Sequence, residues 1–161
     1  LFAPSACPTA EATAADIAQT VAYGSEIFLP PRWELRTGTH PGLVSVGWLD
    51  STSDGIAHMQ LLLYDCGYSQ ADIDSFYGTD GFNVMLGGYE SHTETAVCTA
   101  DTLTLHEFDV VYDAQPYRVR FWVQPLSPTR VRDVHLGFAA ADTAQMDEYA
   151  AKLFPSLPSC G

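Results

Sequence analysis

The segment YRVRFWVQPLSPTRVRDVHLGF, residues 117–138, constrains the fold more than any other stretch. Both halves alternate with a period of two, the repeat of a strand that buries one face. Pro125-Leu-Ser-Pro128 interrupts them, and proline has no amide hydrogen to continue a ladder, so the halves read as two arms of a hairpin. Symmetry about the turn places Tyr117, Val119 and Phe121 opposite Phe138, Leu136 and Val134. The other face then gathers Arg118, Arg120, Trp122, Asp133 and His135, with Arg120 across from His135 and Trp122 across from Asp133. A slip of one residue would exchange the two faces, so the register carries the site prediction.

The rest of the chain supplies a sheet and its cover. Residues 1–12, rich in Ala, Pro and Thr, read as an extended tail. Thr13 with Asp16 forms a capping box, followed by Ala14, Ile17, Ala18 and Val21 at helical spacing. Residues 26–29 read as a short strand halted by Pro30 and Pro31 in the FLPPRW corner, with residues 33–36 resuming it and Trp33 turning into the core or covering an edge. Residues 43–49 and 57–64 form a hairpin around Ser51-Thr-Ser-Asp-Gly55, its second arm central because its end is continuously apolar. Ser69 caps a short helix to Phe76, and Gly78, Gly81, Gly87 and Gly88 make the following stretch a loop. Strands follow at residues 94–99 and 102–112, the second with His106, Phe108, Val110 and Tyr112 on one side. Asp142 opens a last helix with the stripe Met146, Tyr149, Ala150, Leu153 and Leu157. This order predicts one α+β domain over residues 13–158, an antiparallel sheet packed against N- and C-terminal helices, with a short C-terminal tail at 159–161.

Composition excludes several functions. Twenty acidic and seven basic residues, only Lys152 a lysine, give a net charge of −13. Such a chain repels phosphate backbones, which argues against nucleic acid as a partner. No apolar run is long enough for a transmembrane segment. Cys7, Cys66, Cys98 and Cys160 contain no C-x-x-C pair, so they read as two disulfides of an oxidising compartment. The expected pairing is Cys66–Cys98 within the fold and Cys7–Cys160 between the tails, where PSAC and PSC match. Closing that long loop stabilises by roughly 4–5 kcal/mol in the entropy model. An exported chain whose signal peptide has been removed is the corresponding expectation, with Cys7 as a lipid-anchor cysteine the rival.

Three features resemble the PsbP-like family: the proline-then-tryptophan corner at residues 28–33, the Tyr-Arg-Val hairpin at 117–138, and the terminal helix followed by Pro-Ser-Leu157. The resemblance covers residues 24–158 and implies an α/β/α sandwich. It also implies a non-catalytic accessory or binding protein on the outer side of a membrane. The acidity and the tail cysteines depart from the photosynthetic members of that family.

Catalytic signatures are sparse. No G-x-S-x-G elbow is present, no metal-ligand spacing joins His40, His58, His92, His106 and His135, and no cofactor motif is present. Asp72, Asp74 and Asp80 do not have calcium-loop spacing, and Gly87-Gly88-Tyr89 lacks a phosphate loop's context. His58 and His106 would meet only if their strands are neighbours. The most promising group remains Arg118, Arg120, Trp122, Asp133 and His135, since arginine and tryptophan are common binding anchors. The sequence therefore points to a secreted or membrane-surface binding protein for a protein partner, a membrane complex or a small ligand. A histidine-based extracytoplasmic hydrolase is the alternative.

Overall fold

A computed structural model describes residues 10–161. The chain runs α1 (Ala14–Ser25), β1 (Trp33–His40), β2 (Leu43–Asp50), β3 (Ile56–Leu63), α2 (Gln70–Phe76), α3 (Thr79–Met85), β4 (Ser91–Ala100), β5 (Leu103–Tyr112), β6 (Gln115–Ser127), β7 (Arg130–Ala139) and α4 (Thr143–Leu153). Among the described residues the strands form one seven-stranded sheet, ordered β1-β2-β3-β7-β6-β5-β4, with every pairing antiparallel. The α+β class expected from the sequence is what forms.

The alternation along the strands splits the sheet into two cores. Val44, Val46 and Trp48 of β2, Met59 of β3, Trp122 of β6 and Leu136 and Phe138 of β7 point to one face, where Met146, Tyr149 and Leu153 of α4 cover them. On the same face α1 lies over β2 and β3. Val119 and Phe121 of β6, Phe108 of β5 and Val131 of β7 point to the opposite face, beneath Tyr77, Phe82 and Leu86 of the α2–α3 segment. The order is helix, sheet, helix.

Local chemistry explains the boundaries. Thr13 and Ser69 both make reciprocal capping boxes, with Asp16 and Asp72 respectively. Residues 26–29 form no strand: α1 ends at Ser25, and a turn through a cis Pro30–Pro31 bond leads directly into β1. Phe28 there is buried against Trp33, Trp48 and Tyr149, so its apolar character serves a core corner rather than a ladder. Of its two expected positions Trp33 takes the core, and it donates its indole N–H to the Tyr149 hydroxyl at 3.1 Å. The glycine-rich stretch contains the helix α3, because Gly81 lets the chain fold back within contact of the Phe76 carbonyl. The tail expected at residues 1–12 lies outside the described residues as far as residue 9; Ala10 donates its backbone N–H to Leu63 O at 3.1 Å.

The disulfide pairing differs from expectation. Cys98 bonds Cys160, with Cα atoms 5.6 Å apart. Cys66 follows β3 and Cys98 sits on β4, four strand steps away in the sheet, roughly 19 Å at about 4.8 Å per step. A disulfide spans less than about 7 Å, so Cys66–Cys98 cannot form. The C-terminal tail instead returns across the sheet towards its β4 edge. Trp122 Nε1–H donates to Leu157 O at 2.8 Å, Arg120 to Pro158 O at 3.0 Å, and the Cys160 backbone N–H to Glu107 Oε1 at 3.1 Å. That path delivers Cys160 to Cys98, which also excludes Cys7–Cys160. Cys66 is disulfide-bonded as well, and Cys7 lies outside the described residues.

Candidate functional site

The five residues singled out in the late hairpin do not share a face. Phe121 pairs with His135, Trp122 with Val134 and Val123 with Asp133, one residue out of the symmetric register. The cause is a bulge between Pro125 and Ser127, which adds Leu126 to one arm and flips the far residues to the other face. Arg118, Arg120 and Trp122 therefore point to the α4 face. Arg118 makes a long exposed contact of 3.7 Å with Asp109. Arg120 is buried and pins three segments together, reaching Asp147 of α4 at 2.7 Å, Glu107 of β5 at 3.4 Å and the tail carbonyl of Pro158. Trp122 is sealed beneath the tail and stacks on Phe154. Arg120 and Trp122 are structural anchors, whereas Arg118 stays at the surface.

Asp133 and His135 point to the opposite face, where a row of polar groups runs beneath and beside the α2–α3 segment. Asp133 is fully buried and accepts a hydrogen bond from the Tyr77 hydroxyl at 2.7 Å, while its Oδ1 has no partner among the described residues. Burial pushes its carboxyl up to about 8, against the lowering effect of the Tyr77 bond, so it is largely protonated at neutral pH. Gln60 lies directly across from it on β3, and its Oε1 is also buried without a partner among the described residues. His58 lies directly across from His135, with ring centroids 4.9 Å apart, and Phe121 stacks on the other side of His135. Burial lowers His58 to about 4; burial, then the neighbouring His58, holds His135 well below the ordinary histidine value. Both rings are neutral at pH 7.

The remaining histidines are separate. β7 and β6 stand between the strands of His58 and His106, so those two do not meet. His106 contacts Glu94 at 3.1 Å and His92 contacts Asn83 at 2.9 Å, while His40 ends the edge strand β1. Asp72 is spent on the α2 cap and Asp74 accepts from Gln70. Among the described residues no group of three His, Cys, Asp or Glu is placed to hold a metal ion.

A cleft of about 480 Å³ opens on the His135 face. Ser53 and Asp54 of the β2–β3 connection with Ile56 at the start of β3 form one side, Met85 at the end of α3 with Gly88 and Tyr89 beyond it another, and Tyr112 and Tyr117 of the β5–β6 hairpin a third, with His135 and Gly137 contributed by β7. The hairpin turn at Asp113 and Ala114 has φ of 50° and 60°, the left-handed pair that a tight two-residue hairpin requires. Tyr112 and Tyr117 flank that turn on one face and meet edge to face, 6.0 Å apart at 86°; Tyr89 meets Tyr112 at 6.3 Å and 83°. Tyr117 donates its hydroxyl to Asp54 Oδ2 at 3.0 Å. Asp50, at the rim, is held by Arg32 at 2.7 Å and by Thr52 and Ser53. Burial would raise its carboxyl, but those bonds outweigh burial and hold it well below the usual range.

Of the sequence-predicted residues, only His135 lines this cleft. Tyr89, Tyr112, Tyr117 and Asp54 were not anticipated as a group. The nearest sequence signal is the spacing of Tyr112 and Tyr117 around a two-residue turn; the approach of Tyr89 and Asp54 depends on strand order. A second contact deserving chemical weight is Ser45 Oγ to His58 Nε2, 2.7 Å apart on β2 and β3. Among the described residues His58 Nδ1 has no partner, so none of their acids orients the imidazole as in a hydrolytic triad.

No protein-family model matches the chain, and no curated protein is significantly similar to it. No helix among the described residues is long and apolar enough to cross a membrane.

Proposed function

We propose that the protein is an extracytoplasmic, disulfide-bonded, non-catalytic binding domain that takes a small ligand in the tyrosine-walled cleft. The cleft carries this reading. Concave, mostly apolar pockets with a few convergent polar groups are the usual form of a ligand site, and 480 Å³ suits a small molecule. The Cys98–Cys160 bond supports an oxidising compartment. The resemblance to PsbP-like domains adds the proposal that binding serves an accessory role beside a membrane-associated complex.

The Ser45–His58 contact favours a second reading, a hydrolase. Its weakness lies in the base. Desolvation lowers His58 to about 4, far from the neutral value that makes a general base effective, and no described residue orients its second nitrogen. Turnover assays over ester, amide, phosphoester and glycoside reporters separate the two. Binding without turnover supports the first reading. Hydrolysis abolished by Ser45→Ala or His58→Ala would establish the second.

A further inference from the structure

We propose that the cleft binds an organic monocation, a methylated ammonium being its simplest form, through the tyrosine rings and the Asp54 carboxylate. This rests on the cleft being the ligand site, and it names the chemistry that fits there.

Charge comes first. No lysine or arginine lines the cleft. Asp50 is already paired with Arg32, whereas Asp54 has no ion-pair partner among the described residues. His135 is neutral, its imidazole held low by burial and by His58, and supplies no positive charge. An anionic ligand would meet a carboxylate with nothing to balance it. A cation is drawn in by Asp54 and by the net charge of −13.

The walls then choose among cations. The Tyr89, Tyr112 and Tyr117 rings stand at right angles to one another in sequence, at 83° and 86°, so their electron-rich faces turn in more than one direction. Aromatic faces attract cations electrostatically, and perpendicular rings are the walls of the cages that hold quaternary ammonium groups. Tyr117 donates to Asp54, and a phenol donating to a carboxylate carries more electron density in its ring. Leu49, Ile56 and Met85 complete the lining with apolar surface that suits methyl groups and gives a hydrated metal ion nothing.

The test compares choline with 3,3-dimethylbutan-1-ol, its uncharged carbon analogue, by calorimetric titration and amide chemical-shift mapping on the disulfide-intact protein. Choline should shift amides around residues 53–56, 88–89 and 135–137 and bind roughly tenfold tighter than the alcohol. Asp54→Asn and Tyr112→Leu should each weaken choline several-fold more than they weaken the alcohol. Tyr112 is 53% exposed, so its substitution spares the core, and an unchanged melting curve verifies this. Equal affinity for the two probes would overturn the cation proposal and leave the cleft as an apolar site. Uncharged compounds that shift the cleft amides while choline does not would overturn it in the same way. Failure of compounds of every charge class to shift these amides would overturn the ligand-site reading as well.

Discussion

Replacing Asp133 by asparagine should reshape the pH dependence of stability. The Asp133 carboxyl sits at about 8 in the folded protein against 3.8 when unfolded. Between those values the folded state holds a proton that the unfolded chain has released, so stability falls as pH rises. His58 acts in the opposite sense: its folded value of about 4 lies below 6.5, so the unfolded chain binds the extra proton and stability rises with pH across that window. His135 is lowered too and adds a second rising contribution. Between pH 4 and 6.5 His58 and Asp133 offset one another, and His135 tips the balance towards a net rise. Above pH 6.5 the histidines are spent and Asp133 alone removes about 2 kcal/mol by pH 8. Wild-type stability should therefore peak near pH 6.5. An asparagine keeps an acceptor for the Tyr77 hydroxyl and places an amide N–H₂ beside the unpartnered Gln60 Oε1, with no proton to take up. The variant should lose the alkaline fall and gain up to about 4 kcal/mol at pH 7, the cost of holding the wild-type proton there. Urea unfolding at half-unit pH steps reads this directly. A wild-type curve that stays flat or rises from pH 6.5 to 8 would refute the reasoning, as would an alkaline fall that persists in Asp133→Asn.

Further predictions concern the frame of the cleft. Replacing both Cys98 and Cys160 by serine opens a cross-link of 62 residues' separation and should cost about 4 kcal/mol in denaturant unfolding. Asp50→Ala leaves Arg32, Thr52 and Ser53 without their shared acceptor and should cost about 2–4 kcal/mol at pH 7, discounted for the partly exposed Arg32. Because Asp50 is depressed, its contribution is present above 3.8 and lost as pH falls, so the variant should also lose less stability than wild type on acidification, read by acid titration with circular dichroism. Gly81→Ala drives a methyl into the Phe76 carbonyl, a backbone group that cannot step aside, and should cost about 1–3 kcal/mol by thermal unfolding.

What could be read in advance was local. The capping boxes at Thr13 and Ser69, the hairpin spanning β2 and β3, the face shared by His106, Phe108 and Val110, and the stripe of α4 all follow from patterns within about a dozen residues. The errors share a different cause. A single bulged residue, Leu126, divided the anticipated group of Arg118, Arg120, Trp122, Asp133 and His135 between two faces, and nothing in the alternation announces a bulge beside a proline. Hydrophobic Phe28 suggested a strand because apolar character looks the same in a ladder and in a packed corner. The pairing of β3 with β7 sets His58 against His135, and it joins segments some seventy residues apart whose order in the sheet no local pattern encodes. The cleft and the Cys98–Cys160 bond depend on that same long-range order.

Occupancy of the cleft is read most directly by plugging it. Gly88 lines the cleft, and a Cβ built there meets nothing within 4 Å among the described residues, so Gly88→Trp brings a bulky ring to the cleft wall with no clash at its point of attachment. A fragment library screened by ligand-observed NMR against wild type and the Gly88→Trp variant should give binders to the first that vanish in the second. Their amide shifts on wild type should centre on Tyr89, Tyr112, Tyr117 and His135. Fragments that bind both proteins equally, or that map to the α4 face, would contradict the cleft as the site.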